Sequence, residues 1–244
     1  MKRGVLLLAV LLLAGCGAAK EEPGPAPFTP MKETVATGTT AAAAAPHGRY
    51  ETARVLKVTR LRATPGGRKL MWIGTRTEFD SPRVLSVTAR RDGWLRVLAS
   101  ERANGRAAWI RASLVRLGST DYSIHVDRSA RRLTLRRGDR SVRSFAVAVG
   151  RPGTETPTGR FAVTDKLHPD DPASPYGCCL LALSGHQTKL IKGWPGGDRV
   201  AIHATPNVET VGHAASLGCL RARAADVRRL MRTVPVGTPV FVRA

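Results

Sequence analysis

The residues best suited to chemistry in this chain are a histidine and a cysteine sixteen positions apart, His203 and Cys219, in "AIHATPNVETVGHAASLGCLRA". A thiol attacks carbonyl carbon as the thiolate, and a free cysteine titrates near ~8.5. A partner imidazole can lower that value or take the proton during attack, so the chemistry requires the two side chains to meet. His203 closes the alternating run "RVAIHA", which reads as a strand, and a connection returning to Cys219 would bring them together. Gly218 fits a tight turn whose backbone N–H groups converge on one point, as oxyanion stabilisation requires. Arg221 would favour the thiolate and bind a substrate carboxylate. Cys219 alone could equally be a buried, inert thiol, since free cysteines are often buried.

The elements that must hold these residues are mostly strands. From Thr120 to Ala244 the pattern is a mainly antiparallel β domain. "YSIHVDRSARRLTLRRGDRSVRSFAVAVG" alternates across two or three strands, with "RRGDR" as a hairpin turn. Strands return at "CCLLALS", "RVAIHA" and "TPVFVRA", and "ADVRRLMRTV" has the apolar spacing of a helix. From Tyr50 to Leu117, short apolar alternations broken by "TPGG", "RDG" and "ANG" predict a small β-barrel. Residues 16–49 have the Ala, Pro, Thr and Gly content of a flexible linker, and some thirty residues of coil reach about 30 Å.

The chain has 244 residues and 43% hydrophobic content, enough for one large domain or two modest ones. Its formal net charge is +21, from 39 Lys and Arg against 18 Asp and Glu. Such a charge suits anionic wall polymers or lipid headgroups. Nucleic acid is disfavoured by the 5% aromatic content and by the N-terminus. There, Lys2 and Arg3 precede an apolar run from Val5 to Leu13, too short to span a bilayer as a permanent helix. Three cysteines follow Cys16, and an odd number outside the cytoplasm leaves at least one free thiol. Cys178, Cys179, His186, His203 and Cys219 could be imagined as metal ligands, but adjacent cysteines on a strand would face opposite sides. A reversible disulfide between Cys219 and Cys178 or Cys179 is a further expectation.

Three resemblances sharpen this reading. The segment from His203 to Arg221 resembles the active-site motif of the YkuD-type L,D-transpeptidases, through His203, Ala204, Thr205, Ser216, Gly218, Cys219, Leu220 and Arg221. "TPTGRFAV" and "YGCCLLALSGH" are similar to other segments of that family, and the likeness covers about 120 residues. It implies that Cys219 attacks the third residue of a peptidoglycan tetrapeptide stem, with His203 as base. A neighbouring stem amine then resolves the thioester into a 3→3 crosslink. It implies no cofactor. Thr205, Ser216 and Tyr176 are expected substrate-binding residues beside Gly218 and Arg221, as is His186 because "LSGH" precedes the motif strand; Tyr176 and Trp194 flank the glycine-rich "SPYG" and "GWPGGD" stretches and are expected to form a lid. Leu217 stands where many members have histidine, and Ala204 where some have serine, so a backbone carbonyl must orient His203. Water as acceptor would make the protein an L,D-carboxypeptidase; a catalytically inactive wall-binding lipoprotein is the remaining alternative. Sortases and NlpC-type peptidases also use Cys and His, but with other spacing or order.

"DGWLRVLASERANGRAAWIRASLVRL" looks like the end of a bacterial SH3-like domain, with Trp94 and Trp109 at the aromatic positions. "LAGC" resembles the lipobox of bacterial lipoproteins, which implies lipidation of Cys16. The expected fold class is therefore mainly β: a small SH3-like β-barrel, then an L,D-transpeptidase-type β-sandwich with one packed helix. The expected divisions are a signal peptide at 1–15, a lipidated linker at 16–49, the SH3-like domain at 50–117 and the catalytic domain at 120–244. The expected place is the cell envelope, outside the cytoplasm, on a lipid anchor.

Overall fold

The structure is a computed structural model and describes residues 28–31, 49–191 and 197–244. Cys16 and Trp194, and with them the lipobox and half of the expected lid, lie outside the described residues.

Strand β1 (Phe28–Pro30) stands alone in sequence. Next come β2 (Tyr50–Val55), β3 (Thr59–Arg62), β4 (Lys69–Ile73), β5 (Val84–Arg91), β6 (Trp94–Leu98), β7 (Ala108–Arg111) and β8 (Val115–Thr120). These seven form one antiparallel sheet in the order β4-β3-β7-β6-β5-β2-β8. Leu61, Ile73, Leu95, Val97 and Ile110 fill its core. The sheet's last strand runs through Thr120, and Asp121 alone separates it from the next strand.

The second sheet begins with β9 (Tyr122–Asp127), β10 (Arg132–Arg137) and β11 (Arg140–Ala146). In β10 Leu133 and Leu135 face inward while the residues between them face out, the period-2 pattern seen in the sequence. The edge strand β11 buries only Phe145 and shows Arg140 and Arg143 to solvent, which discourages pairing with another chain. The chain continues through β12 (Val149–Gly150), β13 (Gly159–Pro169), β14 (Leu180–His186), β15 (Arg199–Ala204), β16 (Ala214–Ser216), β17 (Leu220–Ala222), helix α1 (Ala224–Thr233) and β18 (Pro239–Arg243). The sheet order is β11-β10-β9-β18-β13-β14-β15-β17, with β1 added on β13. The expected antiparallel pattern has three parallel exceptions: β18 with β9, β15 with β17, and β12 with β16.

Strand β14 is buried along six of its seven residues, because both faces of the sheet are covered. On one face, Val227, Leu230 and Met231 of α1, with Val234 just beyond it, pack on Leu181, Leu183, Ile202 and Leu220. That i, i+3, i+4, i+7 set is the helix's apolar stripe, and each such side chain stabilises by about 1.5–3 kcal/mol when fully buried. On the other face Leu167, Leu180, Ala182 and Ala201 form a smaller cluster with Phe28, Phe79, Tyr176 and Cys219.

That second face is where the first sheet docks. Thr77 donates its hydroxyl to the buried Asp165 at 2.5 Å, and Glu78 pairs with Arg199. Asn104 exchanges two hydrogen bonds with the backbone of His186, at 2.7 and 2.8 Å.

Phe28–Pro30 departs from the linker expectation for residues 16–49. Pro30 is tolerated because β1 is an edge strand. Phe28 has an apolar seat, edge-on to both Phe79 and Tyr176.

Candidate active site

The nucleophile loop is shaped by a few small side chains. Cys219 lies in the turn between β16 and β17, after Gly218 at φ +122°. A β-carbon on Gly218 would stand 2.2 Å from Gln187 Nε2, so conformation and space both require glycine. Ser216 is fully buried, donates its hydroxyl to Cys219 O at 2.6 Å and accepts from Gly218 N–H at 3.1 Å. It therefore closes the turn from beneath, and it is absent from the pocket wall. The same bond engages the Gly218 N–H that the sequence reading assigned to oxyanion stabilisation. Gln187 donates to Leu217 O at 2.9 Å and to the carbonyls of Thr154 and Glu155 at 3.0 and 3.2 Å. It ties the nucleophile turn to the "RPGTETPTG" loop, which also donates Arg151 N–H to Ser216 O at 2.9 Å.

Strand geometry supplies the rest. Arg199, Ala201 and His203 alternate along β15 and share one face. Cys219 packs on that face against Ala201, and its thiol donates to Arg199 O at 3.9 Å. His203 lies opposite Arg221 in the parallel β15–β17 pair and opposite Leu180 in β14. His203, Cys219, Arg221 and Tyr176 line one pocket of about 60 Å³, with Gln187 and Leu217 on its wall. Tyr176 stands edge-on to His203, ring centroids 5.0 Å apart.

The electrostatics differ from the resting thiolate that the spacing suggested. Burial pushes the Cys219 thiol above its ordinary value, while a backbone hydrogen bond at Ala201 and the charge of Arg221 pull it part of the way back. Burial likewise pulls His203 down to about 4, against an opposing hydrogen bond to Ala204. Both groups are therefore neutral near pH 7. His203 Nδ1 donates to Ala204 O at 2.7 Å, because a carbonyl can only accept. The tautomer that makes this bond leaves Nε2 as a proton acceptor. This is the orienting carbonyl that the Ala204 departure called for. Tyr176 is held up to about 12, chiefly by burial, and stays a neutral phenol.

Two further expected site residues lie outside the pocket, as Ser216 does. Thr205 is buried beyond the end of β15, where its hydroxyl accepts from Asn207 N–H at 3.2 Å, and it is absent from the pocket lining. His186 does not line the cleft either. Its ring lies between Ser100 O at 2.5 Å and the Asp198 carboxylate at 2.9 Å, a polar joint between the two sheets. The strand predicted at "CCLLALS" starts at Leu180, so Cys178 lies in a turn and Cys179 in the irregular step before the strand, and both pack toward the helix-side core. Cys219 belongs to the opposite cluster, and the structure brings neither cysteine to it; all three thiols are free. Nor does it gather the five imagined metal ligands: among the described residues no three His, Cys, Asp or Glu converge. Gln187, Asp198 and Arg199 line the pocket without having been predicted. Nothing in their type or spacing marks them, apart from the position of Arg199 four residues before His203 on one strand face.

The family model of the L,D-transpeptidase catalytic domain, YkuD, matches residues 121–242. The chain belongs to the YkuD L,D-transpeptidase family. It is 34% identical over 121 residues to YkuD of Bacillus subtilis (strain 168), an alignment covering 50% of this chain and 65% of that one. YqjB of the same organism is 31% identical over 108 residues, covering 40% and 57%. The chain thus spans about 65% of the length of the first of these relatives. Among solved structures, an L,D-transpeptidase from Mycobacterium smegmatis superposes with a TM-score of 0.41 at 21% identity, covering 59% of this chain and 69% of that one. L,D-transpeptidase 3 from Mycobacterium tuberculosis, in complex with a faropenem-derived adduct, gives 0.42 at 19% identity, covering 56% and 66%.

Proposed function

We propose that this protein is a peptidoglycan L,D-transpeptidase that works through a Cys219 thioester and forms 3→3 crosslinks. The observation that supports this most directly is the shared pocket: a neutral, oriented His203 beside Cys219 and Arg221. The Cys219 sulfur attacks the carbonyl carbon of the third stem residue while His203 Nε2 takes its proton. The tetrahedral intermediate collapses, the C–N bond breaks, and His203 protonates the departing D-alanine amine. The amine of a second stem then attacks the thioester and gives a proton to His203; the C–S bond breaks, and His203 returns that proton to the thiolate. One amide is exchanged for another, so the cycle is balanced without ATP. Arg221 supplies positive charge to the developing oxyanion or to a stem carboxylate. The thiol's hydrogen bond goes to Arg199 O and not to His203, and resting geometry in such sites is commonly looser than in the reacting complex.

The first sheet has the SH3-like role of positioning wall substrate, and acylation of Cys16 holds the protein in the envelope; the "LAGC" resemblance supports the anchor. The deciding experiment is intact-mass measurement after incubation with a carbapenem, beside a Cys219→Ala control. The expected result is one adduct on the native protein and none on the control. A folded, reduced native protein that gains no adduct would overturn the reading.

A further inference from the structure

The first sheet carries a groove of about 370 Å³, remote in sequence from the catalytic motif, walled by Arg60, Arg62, Lys69 and Arg111 with Trp72 and Trp94. No carboxylate lines it. Some cations elsewhere are paired with acids, as Arg49 is with Asp139, Arg83 with Glu101 and Arg143 with Asp226. Among the described residues, none of the four groove cations forms an ion pair with the chain's own acids. Arg60 Nε is buried and has no hydrogen-bond partner. An orphaned, buried cationic donor is costly unless an anion or water completes it.

The aromatic residues add a second requirement. Trp72 is 60% exposed, with the Arg60 guanidinium 4.5 Å from its ring centre. Trp94 forms the floor at 6% exposure, flanked by Arg111 at 4.6 Å and Arg62 at 5.6 Å. An exposed indole beside unpaired guanidinium groups suits a ligand with both flat apolar faces and negative charge. The recessed floor favours a chain lying in the groove over a flat bilayer, which would meet protruding side chains first.

We propose that this groove binds a strand of acidic polysaccharide. Sugar-ring faces would seat on Trp72, and carboxylate or phosphate groups would pair with Arg60, Lys69 and Arg111. The site would hold the protein on an anionic glycan independently of the Cys219 pocket.

The test is binding of the full chain, in nonionic detergent at physiological salt, to polygalacturonate, dextran and poly-L-glutamate. The expected pattern is tight binding of polygalacturonate, none of dextran, and weaker binding of polyglutamate that ignores Trp72. Trp72→Ala and the double variant Arg60→Gln/Arg111→Gln should each weaken polygalacturonate binding by about tenfold. The control Arg228→Gln/Arg229→Gln removes the same charge from exposed positions on α1 and should change it by less than about twofold. Unchanged Tm in each variant establishes folding. Equal weakening by the control, or no effect of Trp72→Ala, would reduce the binding to net charge and overturn the proposal. So would Trp72-dependent binding of phosphatidylglycerol bicelles without binding of polygalacturonate, which would make the groove a membrane face.

Discussion

His203 is oriented by its own neighbour: Nδ1 donates to Ala204 O at 2.7 Å, with no carboxylate in the arrangement. A carbonyl fixes the tautomer without adding charge. With burial, that leaves the ring titrating at about 4. Acylation of Cys219 by a carbapenem should therefore hold its rate down to about pH 5 and fall as His203 protonates below that. An acid limb centred near pH 6.5 would show that a different base, or a solvated His203, does the work.

The same ring makes stability pH-dependent. Unfolded, His203 would titrate near ~6.5, so between about pH 6.5 and 4 the unfolded state binds the extra proton. Stability from the neutral ring is complete above that window and is lost as pH falls through it, on the order of 3 kcal/mol. Urea midpoints measured from pH 7 to pH 4 should fall in the native chain and fall less in His203→Gln. Equal slopes in the two proteins would contradict the buried-histidine account.

Cys219 should be slow with reagents that need a thiolate. Its pKa is raised by burial, so the alkylation rate with iodoacetamide at pH 7 should lie below that of a free cysteine and climb steeply above pH 9. Peptide mapping isolates its signal from Cys178 and Cys179. A rate at pH 7 exceeding that of free cysteine would mean a resting thiolate and a different opening step.

Gln187 should matter to catalysis through the loop it holds. Gln187→Leu removes the donor shared by the Thr154, Glu155 and Leu217 carbonyls. Leaving buried acceptors unpaired costs about 1–3 kcal/mol. The acylation rate should drop at least about tenfold with the acid limb unmoved, since His203 is untouched. Gly218→Ala should be worse, because its β-carbon meets Gln187 Nε2 and φ is positive. A Gly218→Ala protein that acylates normally would show that the turn can rearrange freely.

Phe28 lies far from the catalytic pair in sequence, yet it packs on Tyr176, which packs on His203. Phe28→Ala should slow acylation severalfold and leave the Tm nearly unchanged, because β1 contributes three residues at a sheet edge. Normal kinetics in this variant would confine Tyr176's placement to its own turn.

The parts of the fold readable in advance were those written in local patterns. The alternation after Thr120 predicted two or three strands with a hairpin at "RRGDR", where β10 and β11 meet, and the spacing of Val227, Leu230, Met231 and Val234 located α1 to within a residue of Ala225–Val234. Family spacing pointed to His203, Cys219 and Arg221, which the fold brings to one pocket. What stayed hidden depends on contacts between distant segments. Gln187 reads as an ordinary polar residue until the fold sets Leu217 and Thr154 against it. His186 looked like a cleft residue because nothing local reveals that Ser100 and Asn104 arrive from the first sheet. Burial, too, is tertiary, so the direction of the Cys219 shift could not be read from the neighbouring arginine. Phe28–Pro30 sits in linker composition and becomes a strand only because β13 offers an open edge.

That added strand would also set the length of the proposed tether. If Cys16 is acylated as proposed, the distance from bilayer to catalytic domain would be limited by the twelve steps from Cys16 to Phe28, because Phe28 is already fastened beside Tyr176. Twelve residues reach at most about 40 Å. The whole interval up to Tyr50 would allow more than twice that extension. The protein would then reach only a thin shell of wall next to the membrane and leave outer layers beyond its radius.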